Sequence, residues 1–243
     1  MKRVVMRMAR FKIFFHTKAL ASAYERALPR MRNSVIIPYG VDINCYRPLP
    51  RADCAHALGV ETADRFVIGI FHSYVNEPRK GLLPLIEQIS ILAKEMPGRL
   101  SLLVVGHGSE GARALTDPGL GFAALPFLQD PHDLAQALNL CDVLLYPTRA
   151  ENLSLTCLFA LACGVPVISY DVGGQGEAVR DGINGFLIAP NDYEAMLQRL
   201  RELYANPELQ RILRRGARDT IEETYDLDRY VDNLIDYYRS IKG

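Results

Sequence analysis

Hydrophobic residues along the chain fall into short runs separated by segments with helical spacing. Runs rich in β-branched and aromatic residues predict six strands, at 66–71, 100–105, 121–125, 142–146, 166–170 and 185–188. Helices are predicted at 82–95, 131–140, 154–163, 192–204, 208–224 and 227–241. Because the strands are apolar almost throughout and alternate with helices, the pattern predicts an α/β fold. Its core is a Rossmann-like parallel sheet with helices on both faces.

Formal charges are unevenly distributed along the 243-residue chain. The net charge is zero, yet residues 1–32 contain nine Lys or Arg against one acidic residue, Glu25, so this segment carries +8 and the remainder −8. These basic residues alternate with Phe, Met and Val, unlike a signal peptide. We interpret the segment as a solvated helix face. Peripheral contact with an anionic membrane surface stays open as an alternative, and nucleic-acid binding is not expected.

Hydropathy and cysteine usage both bear on the compartment. No stretch approaches the ~20 consecutive apolar residues that a membrane-spanning helix needs, which predicts a cytoplasmic protein. The five cysteines are odd in number and scattered, without a Cys-x-x-Cys pair. Disulfides and a zinc site are therefore not expected.

The loops after the predicted strands are the expected place for a ligand, since ligands of open α/β sheets bind outside the carboxyl ends of the strands. Residues 147–192 read PTRAENLSLTCLFALACGVPVISYDVGGQGEAVRDGINGFLIAPND. An acidic loop, a helix, a Gly-x-Pro-Val strand, a Gly-Gly loop ending in Glu and an Asp-Gly-x-x-Gly turn follow one another. This order resembles the core of the family 4 glycosyltransferases. Upstream, IPYGVD at 37–42 resembles the interdomain crossover of that family, and Arg79-Lys80-Gly81 resembles its phosphate-binding turn.

The resemblance covers about residues 12–241 and implies the C-terminal half of a GT-B fold. Residues 1–37 would be a basic arm and the remnant of an acceptor-side domain. Residues 38–225 would form a Rossmann-like domain that binds a nucleotide sugar, and residues 226–243 a C-terminal helix.

Three residues are expected to act in catalysis. Arg79 and Lys80, at a strand-to-helix turn, would bind the diphosphate and stabilise the leaving nucleoside diphosphate. Glu151 would accept hydrogen bonds from hydroxyls of the donor sugar, as the first Glu of the family's Glu-x7-Glu motif does. The competing interpretations are a solvated basic pair and, for Glu151 with Ser154, a helix-capping box.

The resemblance places further residues around the donor. They are His72, Gly106, Gly108, Asn152, Leu153, Ser154, Phe159, Gly173, Gly174 and Glu177. The two adjacent glycines would let the backbone approach a ligand closely, or would only make a tight turn. Glu177 would contact sugar hydroxyls, or would only place a negative charge in the first turn of a helix.

One position departs from the family pattern. The second Glu of the motif, which in relatives binds the ribose hydroxyls, is Phe159 here. Because Phe cannot accept a hydrogen bond, ribose must be held in another way, or donor binding is weakened or lost. Ordinary core packing of Phe159 is the alternative, since Leu155, Leu158 and Ala162 share its helical spacing.

Two further motifs suggest other activities, but their sequence context does not support either. Residues 106–111 form a literal G-x-G-x-x-G after a strand, which suggests a NAD-dependent oxidoreductase, but Asp117-Pro118 interrupts the helix that should follow. Asp226-Leu227-Asp228 matches the Asp-x-Asp of metal-dependent transferases but follows a helix, where it indicates an N-cap. No metal and no cofactor are therefore expected.

The sequence thus predicts a retaining glycosyltransferase that transfers a sugar from a UDP- or GDP-linked donor to an acceptor hydroxyl. This chain would supply mainly the donor-binding half, with a separate acceptor-binding domain or subunit as a partner. A donor-binding or regulatory module that has lost transfer is the main alternative, and an oxidoreductase is disfavoured.

Overall fold

The computed structural model describes residues 13–28, 34–61 and 64–242. Half of the basic segment at 1–32 lies outside these residues, so its interpretation stays a prediction. Within the described ranges, no helix is both long enough and apolar enough to span a membrane.

A six-stranded parallel sheet forms the centre of the molecule, with strand order β5-β4-β3-β6-β7-β8. The strands are β3 (Phe66–Tyr74), β4 (Leu100–His107), β5 (Gly121–Leu125), β6 (Val143–Tyr146), β7 (Val167–Tyr170) and β8 (Gly185–Ile188). The chain runs outward from β3 to β5, returns to pair β6 beside β3, and then proceeds the other way. This reversal is the topological switch point at which ligands of such sheets bind.

Helices cover both faces of the sheet. The described helices are α1 (Lys18–Ala27), α2 (Arg51–Leu58), α3 (Leu82–Glu95), α4 (Pro131–Asn139), α5 (Leu155–Ala162), α6 (Gln175–Ala178), α7 (Tyr193–Ala205), α8 (Pro207–Thr224) and α9 (Leu227–Lys242). Alternate strand residues enter two separate hydrophobic clusters, one containing α4, α5 and α8 and the other α3 and α7. Each fully buried Leu or Ile stabilises the fold by about 1.5 to 3 kcal/mol relative to exposure. The predicted α/β fold is confirmed.

A second, two-stranded parallel sheet lies apart from the first. It pairs β1 (Ile13–Phe15) with β2 (Ser34–Ile36), and α1 connects the two strands. Phe14 packs edge-to-face on Tyr237 of α9, with ring centroids 5.2 Å apart. Val41 accepts a hydrogen bond from Leu227 N–H at the start of α9. The N-terminal segment and the C-terminal helix therefore form one contiguous unit beside the sheet.

The six predicted strands and six predicted helices are all present, with bounds that differ by up to three residues. The sequence did not predict α2, whose apolar residues lack helical periodicity and of which only Cys54 is buried. From Ser109, inside the G-x-G-x-x-G segment, the chain forms a 3-10 helix, Ser109–Leu115, instead of the α-helix that a dinucleotide site requires. Asp226 accepts a hydrogen bond from Asp228 N–H, as an N-cap does.

The carboxylate of Asp142 links three elements at the edge of the sheet opposite the switch point. It accepts hydrogen bonds from Arg51 on α2, from Arg214 on α8 and from Val67 N–H on β3. Removing it leaves two guanidinium groups and one buried N–H without their acceptor.

We expect Asp142→Ala to lower the free energy of unfolding by about 2 to 4 kcal/mol, measured by urea denaturation. Asp219→Ala is the matched control, because Asp219 pairs at 3.7 Å with the largely exposed Arg215. That pair should contribute at most about 1 kcal/mol. Equal losses in the two variants would contradict a structural role for the Asp142 cluster.

Candidate functional site

The predicted site residues gather at the carboxyl ends of β3, β6 and β7, around the switch point. The loop after β3 contains Arg79 and Lys80 in a 3-10 turn, Pro78–Lys80. Gly81, in the left-handed conformation, separates this turn from α3. A Cβ at Gly81 would lie 2.8 Å from the carbonyl oxygen of Pro147, so the loops after β3 and β6 touch at this point. The basic pair therefore precedes the helix instead of lying in its first turn.

Lys80 and Glu151 form an ion pair between these two loops. Lys80 Nζ lies 3.0 Å from Glu151 Oε2, and the two side chains are only 12% and 23% exposed. Tyr146, the last residue of β6, donates its hydroxyl to the same oxygen at 3.2 Å. Burial pushes the pKa of Glu151 up, but Lys80 and the N–H of Asn152 pull it down further, so the net shift is downward. The site thus holds a fixed, ionised carboxylate beside a partly buried cation.

Arg79 is the more exposed cation of the pair. Its Nε donates to Glu77 at 2.8 Å, and a terminal nitrogen donates to the carbonyl oxygen of Ala150 at 2.7 Å. Its side chain is 48% exposed. The guanidinium is therefore held at the mouth of the site with one edge toward solvent.

Two glycines bring the loop after β7 against the loop after β6. Gly173 has φ +57°, and a Cβ there would lie 1.8 Å from the carbonyl oxygen of Glu151. Gly174 N–H donates to the carbonyl oxygen of Asn152, and a Cβ at Gly174 would lie 2.7 Å from both that oxygen and Thr17. A side chain at Gly173 would displace Glu151, and one at Gly174 would displace Asn152 or Thr17, so both glycines are needed for the site geometry.

The N-terminal segment reaches the same loops. Thr17 donates its hydroxyl to the side-chain oxygen of Asn152 at 2.6 Å. The two carboxylate oxygens of Glu177 accept hydrogen bonds from the backbone N–H groups of Lys18 and Ala19, each at 2.9 Å. Glu177, expected at the donor sugar, thus binds the N-terminal end of α1. A sugar hydroxyl could use this carboxylate only by sharing or replacing those bonds.

His72 lies buried under the site. It is 7% exposed and stacks on the ring of Tyr146, with centroids 4.5 Å apart. Burial lowers the pKa of His72 to about 3, with the charges of Lys80 and Arg79 adding to the effect. Its Nε2 atom has no hydrogen-bond partner among the described residues. The imidazole is therefore neutral at physiological pH.

Three cavities adjoin along this edge of the sheet. A central cavity of about 360 Å³ contains Lys80 and the carboxylate of Glu151 in its lining. The apolar cavity, about 230 Å³, shares His72 and Thr156 with it. The helix-side cavity, about 680 Å³, shares Arg79 and Glu151 with the central cavity and is bounded by α1 on its other side. An elongated ligand can therefore extend from the apolar cavity past Lys80 to the helix-side cavity.

Phe159 combines the two roles considered for it. One face of its ring stacks on Tyr46, with centroids 4.1 Å apart and planes 3° from parallel. The residue is only half-buried and also lines the apolar cavity. It packs against the core and faces the candidate site at the same time.

The structure brings together most of the residues expected from the sequence. Central-cavity lining includes His72, Arg79, Lys80, Glu151, Leu153 and Ser154. Ser154 also caps α5 by accepting a hydrogen bond from Cys157 N–H. Gly106 and Gly108 do not line the three cavities. A Cβ at Gly106 would lie 1.8 Å from the carbonyl oxygen of His72, so this glycine allows the end of β4 to pack on the end of β3.

Sequence patterns did not predict three residues of the site: Tyr146, Glu77 and Thr17. Tyr146 ends a predicted strand at the carboxyl edge, and that position was a usable signal. Glu77 lies two residues before Arg79, a spacing that allows an ion pair in a turn. Thr17 is 135 positions from Asn152 along the chain, and no local pattern links the two. Among the described residues, no group of three or more His, Cys, Asp or Glu is arranged to hold a metal ion.

Comparison with known families identifies what this arrangement is similar to. A profile of the family described as Glycosyl transferases group 1 matches residues 65–206. The D-inositol 3-phosphate glycosyltransferase of Saccharomonospora viridis is 34% identical over 212 residues, which are 82% of this chain and 48% of that protein. The chain spans about half the length of the curated relatives it matches.

Solved structures show the same fold. A glycosyltransferase from Rickettsia africae superposes with a TM-score of 0.81 at 19% identity, covering 97% of this chain and 65% of that one. Anabaena HepE in complex with UDP-glucose superposes with a TM-score of 0.79 at 22% identity, covering 98% and 67%. At these identities the likeness concerns the fold, and it confirms the expected GT-B type.

The buried neutral state of His72 predicts how stability depends on pH. The pKa of His72 is lowered to about 3 in the folded protein, whereas the pKa of a histidine in the unfolded chain is about 6.5. As the pH falls below the unfolded value, the unfolded state takes up the proton first, so stability falls by about 1.4 kcal/mol per pH unit until the folded pKa is reached. Between pH 7 and 5 the wild type should lose about 2 kcal/mol more than His72→Phe.

Urea denaturation across this pH range measures the difference. A His56→Phe variant is the control, because it makes the same replacement at an exposed position on α2. Parallel pH profiles for wild type and His72→Phe would show that His72 is not held neutral.

Proposed function

Because this chain belongs to the group 1 glycosyl transferases, we propose that it binds a nucleoside-diphosphate sugar and supplies the donor-binding half of a retaining glycosyltransferase. The sugar is transferred from this donor to an acceptor hydroxyl. One observation carries the proposal: three adjoining cavities match the three parts of such a donor, with Lys80 and Glu151 in the lining of the central one. The nucleoside enters the apolar cavity, the diphosphate the central cavity, and the sugar lies toward the helix-side cavity.

The central cavity has the chemistry that a diphosphate needs. Lys80 has three N–H donors, and Glu151 accepts one of them. Arg79 has five, and its bonds to Glu77 and Ala150 leave further donors toward the cavity. Both cations also stabilise the charge that develops on the diphosphate as its bond to the sugar breaks. Lys80 pairs with Glu151 and Arg79 with Glu77, and these ion pairs fix both cations before the donor binds.

Glu151 is suited to hold the sugar. Lys80, Tyr146 and Asn152 N–H bind its carboxylate, which leaves acceptor capacity for sugar hydroxyls at the border of the helix-side cavity. The acceptor hydroxyl approaches from that cavity, beside Arg79 and on the side from which the diphosphate departs. Its oxygen bonds to the anomeric carbon as the bond from that carbon to the diphosphate breaks, and its proton passes to the departing diphosphate. Bond formation on that face corresponds to retention of configuration at the anomeric carbon.

The helix-side cavity and the small sheet support a partner on the N-terminal side. Two-stranded sheets are rarely stable alone, and β1 and β2 are only partly buried. We propose that residues 1–37 belong to an acceptor-side domain, that 38–225 form the donor domain, and that 226–243 connect the two. The five cysteines are all free thiols, which fits a reducing compartment such as the cytoplasm.

A donor-binding module without transfer activity is the second candidate function. The presence of Phe159 in the apolar cavity favours this second candidate, because the Phe159 side chain provides no acceptor for ribose hydroxyls. Binding of sugar nucleotides without turnover by the chain together with its acceptor domain would select this candidate.

The two cations should contribute unequally to nucleotide binding. We expect Lys80→Ala to weaken binding of a nucleoside diphosphate by ~1.5 to 3 kcal/mol, measured by calorimetry. The more exposed Arg79→Ala should cost less because solvent screens its charge. Arg215→Ala, which removes a remote and largely exposed cation, is the control. Unchanged affinity in both site variants would place the phosphates elsewhere.

Glu151 should distinguish a sugar nucleotide from the bare nucleotide. Glu151→Gln keeps the shape of the side chain but weakens its hydrogen bonds to sugar hydroxyls, whereas the loss of its charge beside Lys80 acts on both ligands alike. Affinity for UDP-glucose should therefore fall relative to affinity for UDP. Glu202→Gln, an exposed carboxylate on α7, controls for the change in net charge. Equal losses for UDP and UDP-glucose would reassign Glu151 to the structure of its loop.

A further inference from the structure

The apolar cavity offers a large contact surface and few hydrogen-bonding groups. Six aromatic or aliphatic side chains line it: Phe71, Val105, Phe127, Leu128, Leu134 and Phe159. Among the described residues of its lining there is no carboxylate, no carboxamide, no lysine and no arginine. A nucleoside in this cavity is therefore held by packing and stacking on apolar groups.

Phe159 cannot easily move aside to expose another group. Tyr46 covers one face of its ring at a centroid distance of 4.1 Å, and Tyr46 is itself only 7% exposed. The adjacent residues Leu158 and Ala160 are fully buried in the core. The apolar character of this wall is thus built into the packing of α5.

The polar groups that remain around the cavity are uncharged. Ser73 and Thr156 contribute hydroxyls, and His72 is neutral with its Nε2 atom enclosed. A neutral hydrogen bond to a ligand hydroxyl changes affinity by roughly 2- to 10-fold, whereas a bond to a carboxylate changes it by roughly 10- to 150-fold. A site that binds through apolar surface also discriminates weakly against an added or missing hydroxyl.

We infer that this chain does not recognise the 2′-hydroxyl of the pentose when it selects its donor. It therefore accepts 2′-deoxyribonucleoside diphosphates, and the sugars linked to them, alongside the ribonucleoside forms. The inference rests on the proposed function, since it concerns the nucleoside end of the same ligand. It names a substrate class: donors whose diphosphate and sugar are recognised by Lys80, Arg79 and Glu151, and whose pentose is recognised by shape.

Isothermal titration of the wild-type chain with matched nucleotide pairs tests the inference. The pairs are UDP and 2′-deoxy-UDP, GDP and 2′-deoxy-GDP, and ADP and 2′-deoxy-ADP, so the preferred base need not be known. For the base that binds best, we expect the two dissociation constants to agree within about 3-fold. A preference of 10-fold or more for the ribonucleotide would overturn the inference and leave the proposed function intact. Failure of all six nucleotides to bind would contradict the proposed function and this inference with it.

Placing a carboxylate on the apolar wall tests where the pentose lies. In Phe159→Glu the new acceptor should create a preference of about 10-fold or more for the ribonucleotide. Phe159→Leu, which keeps the wall apolar, should retain the wild-type ratio. Phe122→Glu is the matched control, because Phe122 is a half-buried aromatic residue on β5 outside the three cavities.

A folded Phe159→Glu variant whose ratio stays at the wild-type value would overturn the placement of the pentose against this wall. The lost stacking on Tyr46 and the added charge can also unfold the variant, which a melting curve reveals. In that case the wild-type and Phe159→Leu titrations still decide whether the ribonucleotide and the 2′-deoxyribonucleotide bind equally well or the ribonucleotide is preferred.

Discussion

The ion pair between Lys80 and Glu151 depends on the one place in the sheet where the strand order reverses. It joins the loops after β3 and β6, which are neighbours in the sheet although 71 residues separate the two side chains. Gly81 and Gly173 allow the backbones of three loops to meet around this pair. Because both charges are mostly shielded from water, each needs the other to offset its desolvation. The cation and the carboxylate are thereby positioned before any ligand arrives, which is what a site for an anionic, hydroxyl-rich donor requires.

The same geometry connects the site to the ends of the chain. Glu177 on α6 and Asn152 on the loop after β6 bind the N-terminal end of α1 through side-chain hydrogen bonds. Tyr225, just before α9, donates its hydroxyl to the carbonyl oxygen of Glu177. A displacement of the N-terminal segment would therefore change the surroundings of Glu151 directly. The acceptor side of the proposed reaction is thus mechanically linked to the donor side.

The main sheet was predictable because its strands are apolar on both faces and alternate with amphipathic helices. The rule that parallel sheets bind ligands at their carboxyl edge pointed to the right loops. Within those loops, Lys80 and Glu151 followed from the resemblance to the glycosyltransferase motifs. Other features depend on contacts between distant parts of the chain, which local patterns do not encode. Glu177 bonds to Lys18 and Ala19 some 160 positions away, and Phe159 faces Tyr46 on one side and a cavity on the other. Helix α2 was not predicted because its apolar residues have no helical spacing. Its position is fixed instead by the Arg51–Asp142 ion pair and by the buried Cys54.

The central claim is that the carboxyl edge of this sheet binds a nucleoside-diphosphate sugar. Thermal unfolding of the chain with UDP-glucose, GDP-mannose, ADP-glucose or NAD, each at increasing concentration, tests it most directly. One sugar nucleotide should raise the free energy of unfolding by about 2.7 kcal/mol at a hundred times its dissociation constant, and NAD should have no effect. Stabilisation by NAD, or by none of the four compounds, would contradict the account.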